Sequence, residues 1–535
     1  MDLDALAGVD RDGRLLAGLE RFKDVRINFG SEKQKVPEQL EVVERHRSCV
    51  RRLNVEYDRE RKGLGGRGLL NEYSILVPDL PTANDDADLE LHACQDATLV
   101  HKSLSASFHN LITLDWDGPP ILSANLLHSI KDHSTLRNLH LKGMVLDPEF
   151  ALSLPCDLSL KLETIALDVH FPLSLREDVA QGKQVMFFDN VFRIAARSVQ
   201  RVNWKGHFTE EIAIYVDPSI VFAELRHLTL DMVSFADSEV LNLFMGDATT
   251  PSTSKLRSLA IDVSTPSARE YLRTRGNIPT LKHFTWINYN TTDASYEDVH
   301  TFLEDNARHL ESVHFPHAIP QDIIDEQLLP LLSSAATSLT SLHLVSDASS
   351  FPEGTLRLLG SISTLKRLWI SAGTQGFRGN WEVDHALICD TLAPLRDLRT
   401  LAFSHEAYVT EPAPHPLASR FCDYYTAKVF PDKLDLRAYL TPEEKIVYDQ
   451  CMCGKWNLLV SQQLWHLRNN AWERWHAERM GRVGKAYKQV FPQLEWCFVG
   501  QIPVDTVDGV VVPGEREQCL FSLRRKMDMG LWRPL

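Results

Sequence analysis

A hexad with apolar residues at its first, fourth and sixth places recurs along this 535-residue chain. It reads Leu225-Arg-His-Leu228-Thr-Leu230, Leu256-Arg-Ser-Leu259-Ala-Ile261 and Leu365-Lys-Arg-Leu368-Trp-Ile370, and the same form begins at Phe22, Val50, Leu111, Leu136, Leu162, Val199, Leu281, Leu310, Leu339, Leu398 and Leu494. Three apolar places agree often by chance, so the weight rests on what else recurs. The first place is Leu in eleven of the fourteen hexads and the second is Lys or Arg in eight. From Leu111 to Leu398 successive hexads begin 25 to 37 residues apart.

Side chains alternate across a strand, so the fourth and sixth places face inward together and the first reaches inward where the strand begins. The segments Asn125–His133, Asn190–Ser198, Ser238–Met245, Tyr296–His309, Gln327–Ser338 and Pro352–Ser361 read as helical or looped links. A strand, a turn and a helix at this period predict an α/β fold: a curved leucine-rich-repeat solenoid, with short parallel strands on the concave face and helices and loops on the convex face. Strand–helix alternation alone also permits a doubly wound sheet, which lacks the repeated register. A strict repeat carries Asn or Cys at the ninth place, whereas this chain has Pro119, Met144, His170, His207, Val233, Ser264, Tyr289 and Ala318. Uneven turns and variable loops are therefore expected.

The pattern lapses twice. Residues between the Val50 and Leu111 hexads include Gly63–Gly68 and the acidic stretch Asp79–Glu90, which reads as an exposed loop. Between Leu398 and Leu494, Pro412, Pro414 and Pro416 mark a loop, and Thr441-Pro-Glu-Glu444 has capping-box spacing. The run from Trp456 to Gln489 is helical in composition and carries Trp456, Trp465, Trp472 and Trp475. It reads as a helical cap over the last coil, or else as a partner-binding helix. The boundaries that follow are an N-terminal cap with irregular repeats over 1–60, a loop and linker helix over 61–107, the solenoid over 108–404, a helical insert or cap over 405–490, and a final strand and tail over 491–535.

Composition excludes several classes. Asp and Glu number 72 against 57 Lys and Arg, a formal charge of −15, which disfavours non-specific nucleic-acid binding and anionic membrane surfaces. Residues 441–535 hold 13 basic and 11 acidic side chains, leaving 44 and 61 for residues 1–440, so the acidity belongs to the repeats and points to a partner with a basic face. No apolar run reaches the ~20 residues of a spanning helix, and the first residues do not resemble a secretory signal. Nine scattered cysteines fit a reduced compartment, cytoplasmic or nuclear.

The chemistry motifs are weak. Gly63-Leu-Gly-Gly-Arg-Gly68 matches a dinucleotide loop in letters but lacks the preceding strand. Cys451-Met-Cys453 has no second pair at zinc-finger spacing and reads as a buried helical pair. No nucleophile–base–orienter set emerges. We therefore expect no enzyme activity and no catalytic, cofactor or metal site. An enzymatic reading would need its residues in the 404–493 insert.

Trp475-His-Ala-Glu-Arg-Met480, Phe491-Pro-Gln-Leu-Glu-Trp496 and Gly500-Gln-Ile-Pro503 resemble the carboxy-terminal ending of filamentous-fungal F-box proteins with degenerate leucine-rich repeats. The resemblance implies a substrate-recognition subunit whose amino-terminal F-box docks the Skp adaptor of a cullin ubiquitin ligase. Here Phe22–Phe29 resembles the segment that follows an F-box, and only 21 residues precede it. Val36-Pro-Glu-Gln39 sits between two hexads with no room for three helices. The F-box is thus expected to be missing from this chain, and adaptor and cullin would be partners only if one were restored upstream.

The third, fifth and seventh places are expected to face solvent and to form ladders ~4.8 Å apart across strands. The seventh reads Glu56, Asp117, Lys142, Asp168, Lys205, Asp231 and Asp262, mainly acidic, and the fifth later reads Thr285, His314, His343, Trp369 and Ala402. An exposed Trp flanked by basic side chains suits an interface anchor. His283, His314, His343, Arg367 and Trp369 are accordingly the expected partner-binding residues, with metal binding or pH sensing by the paired histidines as a lesser reading. The expected function is a protein–protein interaction module, either the substrate-binding part of an F-box-type receptor or a standalone scaffold or inhibitor.

Overall fold

A computed structural model describes residue 20 and residues within the spans 22–57, 98–151, 160–206, 217–246, 254–287, 293–373, 381–408 and 428–511, apart from short stretches inside them. The Gly63–Gly68 and Asp79–Glu90 segments lie outside the described residues. The architecture is α/β, with mostly parallel strands alternating with helices, and the chain divides into two compact units, residues 1–280 and 281–533.

The first unit contains β1 (Asp24–Phe29), α1 (Val36–Glu44), β2 (Arg52–Tyr57), β3 (Thr113–Asp117), β4 (Ile121–Leu122), α2 (Ala124–Ile130), β5 (Asn138–Leu146), β6 (Thr164–His170), α3 (Glu177–Ala195), β7 (Arg201–Lys205), β8 (His227–Asp231), α4 (Val240–Met245), β9 (Ser258–Asp262) and α5 (Pro266–Arg275). The hexad strands pair in parallel and in chain order, fourth place against fourth place: Leu53 with Leu114, then Leu139, Ile165, Val202, Leu228 and Leu259. From Val50 onward every first, fourth and sixth place in the unit is at most 2% exposed. Sixth-place Trp204 meets Phe188 and Phe192 of α3 at 4.3 and 5.1 Å between ring centroids, so strand and helix share one aromatic core.

One contact repeats at nearly every step. The second-place carbonyl accepts from the second and third amides of the next hexad. Lys23 takes Arg51 and Arg52, Arg51 takes Ile112 and Thr113, and the series runs on to Arg226, which takes Arg257 and Ser258. A carbonyl has two lone pairs, so both amides are satisfied and each strand is fixed in register. A second ladder stands in for the missing ninth-place asparagines. The residue just before the hexad uses its hydroxyl on the preceding coil: Thr135 Oγ1 lies 2.9 Å from both His109 O and Leu111 O, and Ser198 Oγ lies 3.0 and 2.8 Å from Leu160 O and Leu162 O. Ser198→Ala leaves those carbonyls short of a donor and is expected to cost about 1 kcal/mol in denaturant unfolding; an unchanged midpoint would deny the hydroxyl this role.

The second unit contains β10 (His283–Ile287), α6 (Asp293–Asn306), β11 (Ser312–Ile319), α7 (Leu329–Ala335), β12 (Ser341–Ser346), α8 (Glu353–Ser361), β13 (Arg367–Ala372), β14 (Trp381–Glu382), α9 (His385–Leu392), β15 (Thr400–Ser404), β16 (Glu406–Ala407), α10 (Pro442–Cys453), α11 (Leu458–Val490), β17 (Trp496–Val499), β18 (Ile502–Asp505) and β19 (Val510–Val511). Its parallel register is again fourth place to fourth place: Phe284, Val313, Leu342, Leu368, Leu401 and Cys497. Among the described residues each unit has a ladder whose register shifts. Gly143, at φ +56°, bulges β5 against β6, and the β11–β12 register shifts across Pro316, which has no N–H to give.

The capping box at the start of α10 forms as its spacing predicts, with Glu444 N donating to Thr441 Oγ1 at 3.3 Å and Thr441 N to Glu444 Oε2 at 2.9 Å. Arg474 of α11 clamps the same carboxylate at 2.6 Å, and that hydrogen bond holds Glu444 well below the usual carboxylate range, at about 2. The cysteine pair is only half as expected: Cys451 is buried, but Cys453 at the last turn of α10 is exposed.

Candidate functional site

In the first unit β7 and β8 keep a clean alternation, whereas every residue of β9 is buried. β7 and β8 bury their fourth and sixth places and leave the third, fifth and seventh half-exposed. Polar side chains line that open sheet face in rows: Arg26, Asn54, Asp115, His140, Asn203 and Thr229 at the fifth place, broken by the buried Ala166, and Asn28, Glu56 and Asp117 followed by Lys142, Asp168, Lys205 and Asp231 at the seventh. Its ion pairs run between strands. Arg26 Nε lies 3.2 Å from Glu56 Oε1, Arg52 Nε lies 3.8 Å from Asp115 Oδ2, and Asp115 Oδ1 is bonded to His140 Nδ1. Burial pushes the Asp115 carboxyl up, but the His140 hydrogen bond and the charges of His140, Lys142 and Arg52 outweigh it and hold it below the ordinary value. Around this point a shallow cleft of about 210 Å³ is lined by Asn54, Val55, Glu56, Asp115, Asp117 and Lys142.

The acidic reading of this face changes once all three places are counted. On the seven hexad strands from β1 to β8 they carry six carboxylates (Asp24, Glu56, Asp115, Asp117, Asp168 and Asp231) and five basic side chains (Arg26, Arg52, Lys142, Arg201 and Lys205). The face is nearly balanced, with opposite charges on neighbouring strands. The seventh-place row ends differently at β9. There Asp262 is 1% exposed, its Oδ1 accepts from Ser264 N and Ser264 Oγ at 2.8 and 2.6 Å, and the Met232 backbone also hydrogen-bonds its carboxyl. Burial pushes this carboxyl up to about 6, with the neighbouring Asp231 charge adding to the rise and the Ser264 bonds opposing it.

The second unit does not repeat the alternation. All six residues of β12 are buried, and so are all but Arg367 in β13. The expected fifth-place ladder is present, Thr285 beside His314, His343, Trp369 and Ala402 on successive strands, with His283 and Arg367 in the third-place row beside Ser312, Ser341 and Thr400. The expectation that these side chains face solvent is corrected: His314 and His343 are each 3% exposed and Trp369 is 8%, while His283 and Arg367 are half-buried. The His343 ring stacks on Trp369 at 3.8 Å, Trp369 Nε1 donates to Ser404 Oγ at 3.0 Å, and Ser312 Oγ bonds His314 Nε2. Burial, with the nearby His283 and Arg367 charges, pushes His314 down to about 3, so it stays neutral through the physiological range and senses no pH there.

The chain matches no protein-family model and no curated protein.

The residues of the carboxy-terminal ending do come together, as a clasp. Gly500 and Gln501, at φ +62° and +57°, form the two-residue turn between the antiparallel β17 and β18. His476 Nε2 of α11 bonds Gly500 O at 2.8 Å, and a Cβ at Gly500 would sit 2.5–2.6 Å from Met480 Cγ and Sδ and His476 Nε2. Arg479 lies over the Tyr408 ring at 4.8 Å. Tyr487, further along α11, is paired with His385 Nδ1 of α9 at 2.6 Å. Trp472 and Trp475 are buried, Trp465 is 61% exposed, and Trp456 lies outside the described residues. The second half of α11 is thus packed into the unit. Among the described residues no helix is long and apolar enough to cross a membrane.

Proposed function

We propose that this protein is a non-enzymatic, leucine-rich-repeat interaction module that holds a protein partner on the open sheet face of its first unit, as the substrate-recognition part of an F-box-type ubiquitin-ligase receptor. The observation that carries the reading is the half-exposed third, fifth and seventh places across successive parallel strands, over a core of buried fourth and sixth places. Such rows offer a broad, rigid, polar surface whose side chains are set by the backbone rather than by loops. The near balance of charge favours a partner with interleaved acidic and basic side chains over a uniformly basic one, because like charges facing each other across an interface are penalised.

The ubiquitin link rests on the resemblance of the carboxy-terminal ending, whose residues pack as a clasp. Affinity capture from the source organism separates the two roles. Recovery of a Skp-type adaptor and a cullin with the partner supports the receptor. A partner recovered with neither of them supports the standalone scaffold.

A further inference from the structure

Among the described residues β1 has one strand partner, β2. The Lys23 carbonyl accepts from Arg51 and Arg52 and so points toward β2. Backbone groups alternate sides along a strand, so those of Val25 and Ile27 point the same way, and those of Asp24, Arg26 and Asn28 point to the opposite edge. On that edge lies a side chain from α1. Asn28 N donates to Gln39 Oε1 at 2.9 Å, and Gln39 Nε2 donates to Asn28 O at 3.0 Å. Gln39 is 9% exposed. Its carboxamide makes the two bonds that the peptide groups of an added strand would make.

We propose that Gln39 is an edge guard, which keeps β1 from pairing with β1 of a second copy of this chain. An exposed strand edge is a template for another chain, and proteins block it with covering groups. A second copy is the occupant that the charges fit. In an antiparallel, two-fold pairing centred on Val25, Asp24 of each copy stands opposite Arg26 of the other, giving two opposite-charge pairs on one face, and Asn28 falls opposite Phe22. The backbone groups of Asn28 are needed for that ladder, and Gln39 already holds them.

The test is the mass of the full chain in solution across a concentration series, by light scattering or sedimentation. Gln39→Ala is expected to dimerise about tenfold more tightly than wild type, the worth of roughly one net hydrogen bond. Arg26→Asp added to it is expected to dissolve the dimer by facing Asp24 with a second carboxylate. Arg26 is 61% exposed on its side chain, so the change gives up only a surface ion pair with Glu56, and a melting curve checks that the fold is kept. Adding Asp24→Arg as well restores the opposite-charge pairs and should restore the dimer. Should Gln39→Ala not fold, Gln39→Glu is measured the same way, since it loses the donor to Asn28 O and keeps the acceptor for Asn28 N. A guard variant that keeps the wild-type mass throughout, or one whose association ignores Arg26→Asp, overturns the proposal.

Discussion

Asp262→Asn is expected to stabilise the protein at neutral pH by about 3 kcal/mol. The carboxyl is 1% exposed and its folded value lies near 6, against an ordinary value of 3.8. A raised value means that the fold prefers the protonated acid. The stability it contributes is complete below about pH 4, declines as the pH rises through 6, and is gone above that. The span between the two values sets the size, at about 1.4 kcal/mol for each pH unit. Asparagine keeps an oxygen for Ser264 N and Oγ and removes the charge that burial penalises. Denaturant unfolding of both proteins from pH 4 to pH 8 reads this directly: the difference in their stabilities should grow between pH 4 and 6 and then level off. A difference that is flat over that range, or that has the opposite sign, would show that Asp262 is held as a carboxylate by groups that favour its charge.

Gly500→Ala has the second large expected effect, a loss of about 2–5 kcal/mol. Two causes add. At φ +62° a Cβ costs about 1–2 kcal/mol in backbone strain. The new carbon would also lie 2.5–2.6 Å from Met480 and His476, so the helix or the hairpin must move, and overpacking of this kind costs about 1–3 kcal/mol. The two parts separate by experiment. Gly500→Asn tolerates the left-handed conformation but carries the same Cβ, so it should recover only the strain. Gly500→Ala combined with Met480→Ala should recover most of the packing part. If Asn restores wild-type stability, the close contact of α11 with the turn is not what fixes the clasp.

Much of the fold was legible because strand geometry imposes a period of two and the hexads obey it. The strand register, the six linking segments that became helical, and the capping box at Thr441 all follow from local pattern. Other elements carry local signals of their own. Pro266 begins α5 directly after Thr265, and Asp384 caps α9 by accepting from Ala386 N and Leu387 N at 2.9 and 3.0 Å. The candidate site was only half legible. Alternation puts the third, fifth and seventh places on one face in both units, but it cannot tell whether that face is open. His343 and Trp369 occupy the same hexad place as Asp115 and His140 do in the first unit. The open face keeps charged side chains that are paired between strands, whereas the buried one carries rings and hydroxyls bonded to each other. Composition held a hint of this: third and fifth places after Leu281 contain one Arg and no acid. The hexad does not mark the hydroxyl ladder of Thr135 and Ser198, which lies just before it rather than at its ninth place.

The central claim, that the open face of the first unit holds the partner, is tested most directly by affinity capture with charge reversal on that face. Lys142→Glu with Lys205→Glu changes two half-exposed seventh-place side chains and leaves the buried fourth and sixth places untouched. A comparison pair, Lys282→Glu with Arg399→Glu, reverses one half-exposed and one exposed side chain in the second unit. We expect the first pair to lose the partner at least tenfold in quantitative capture while melting like wild type, and the second pair to retain it. Equal recovery by the first pair, or a loss confined to the second, would contradict the account.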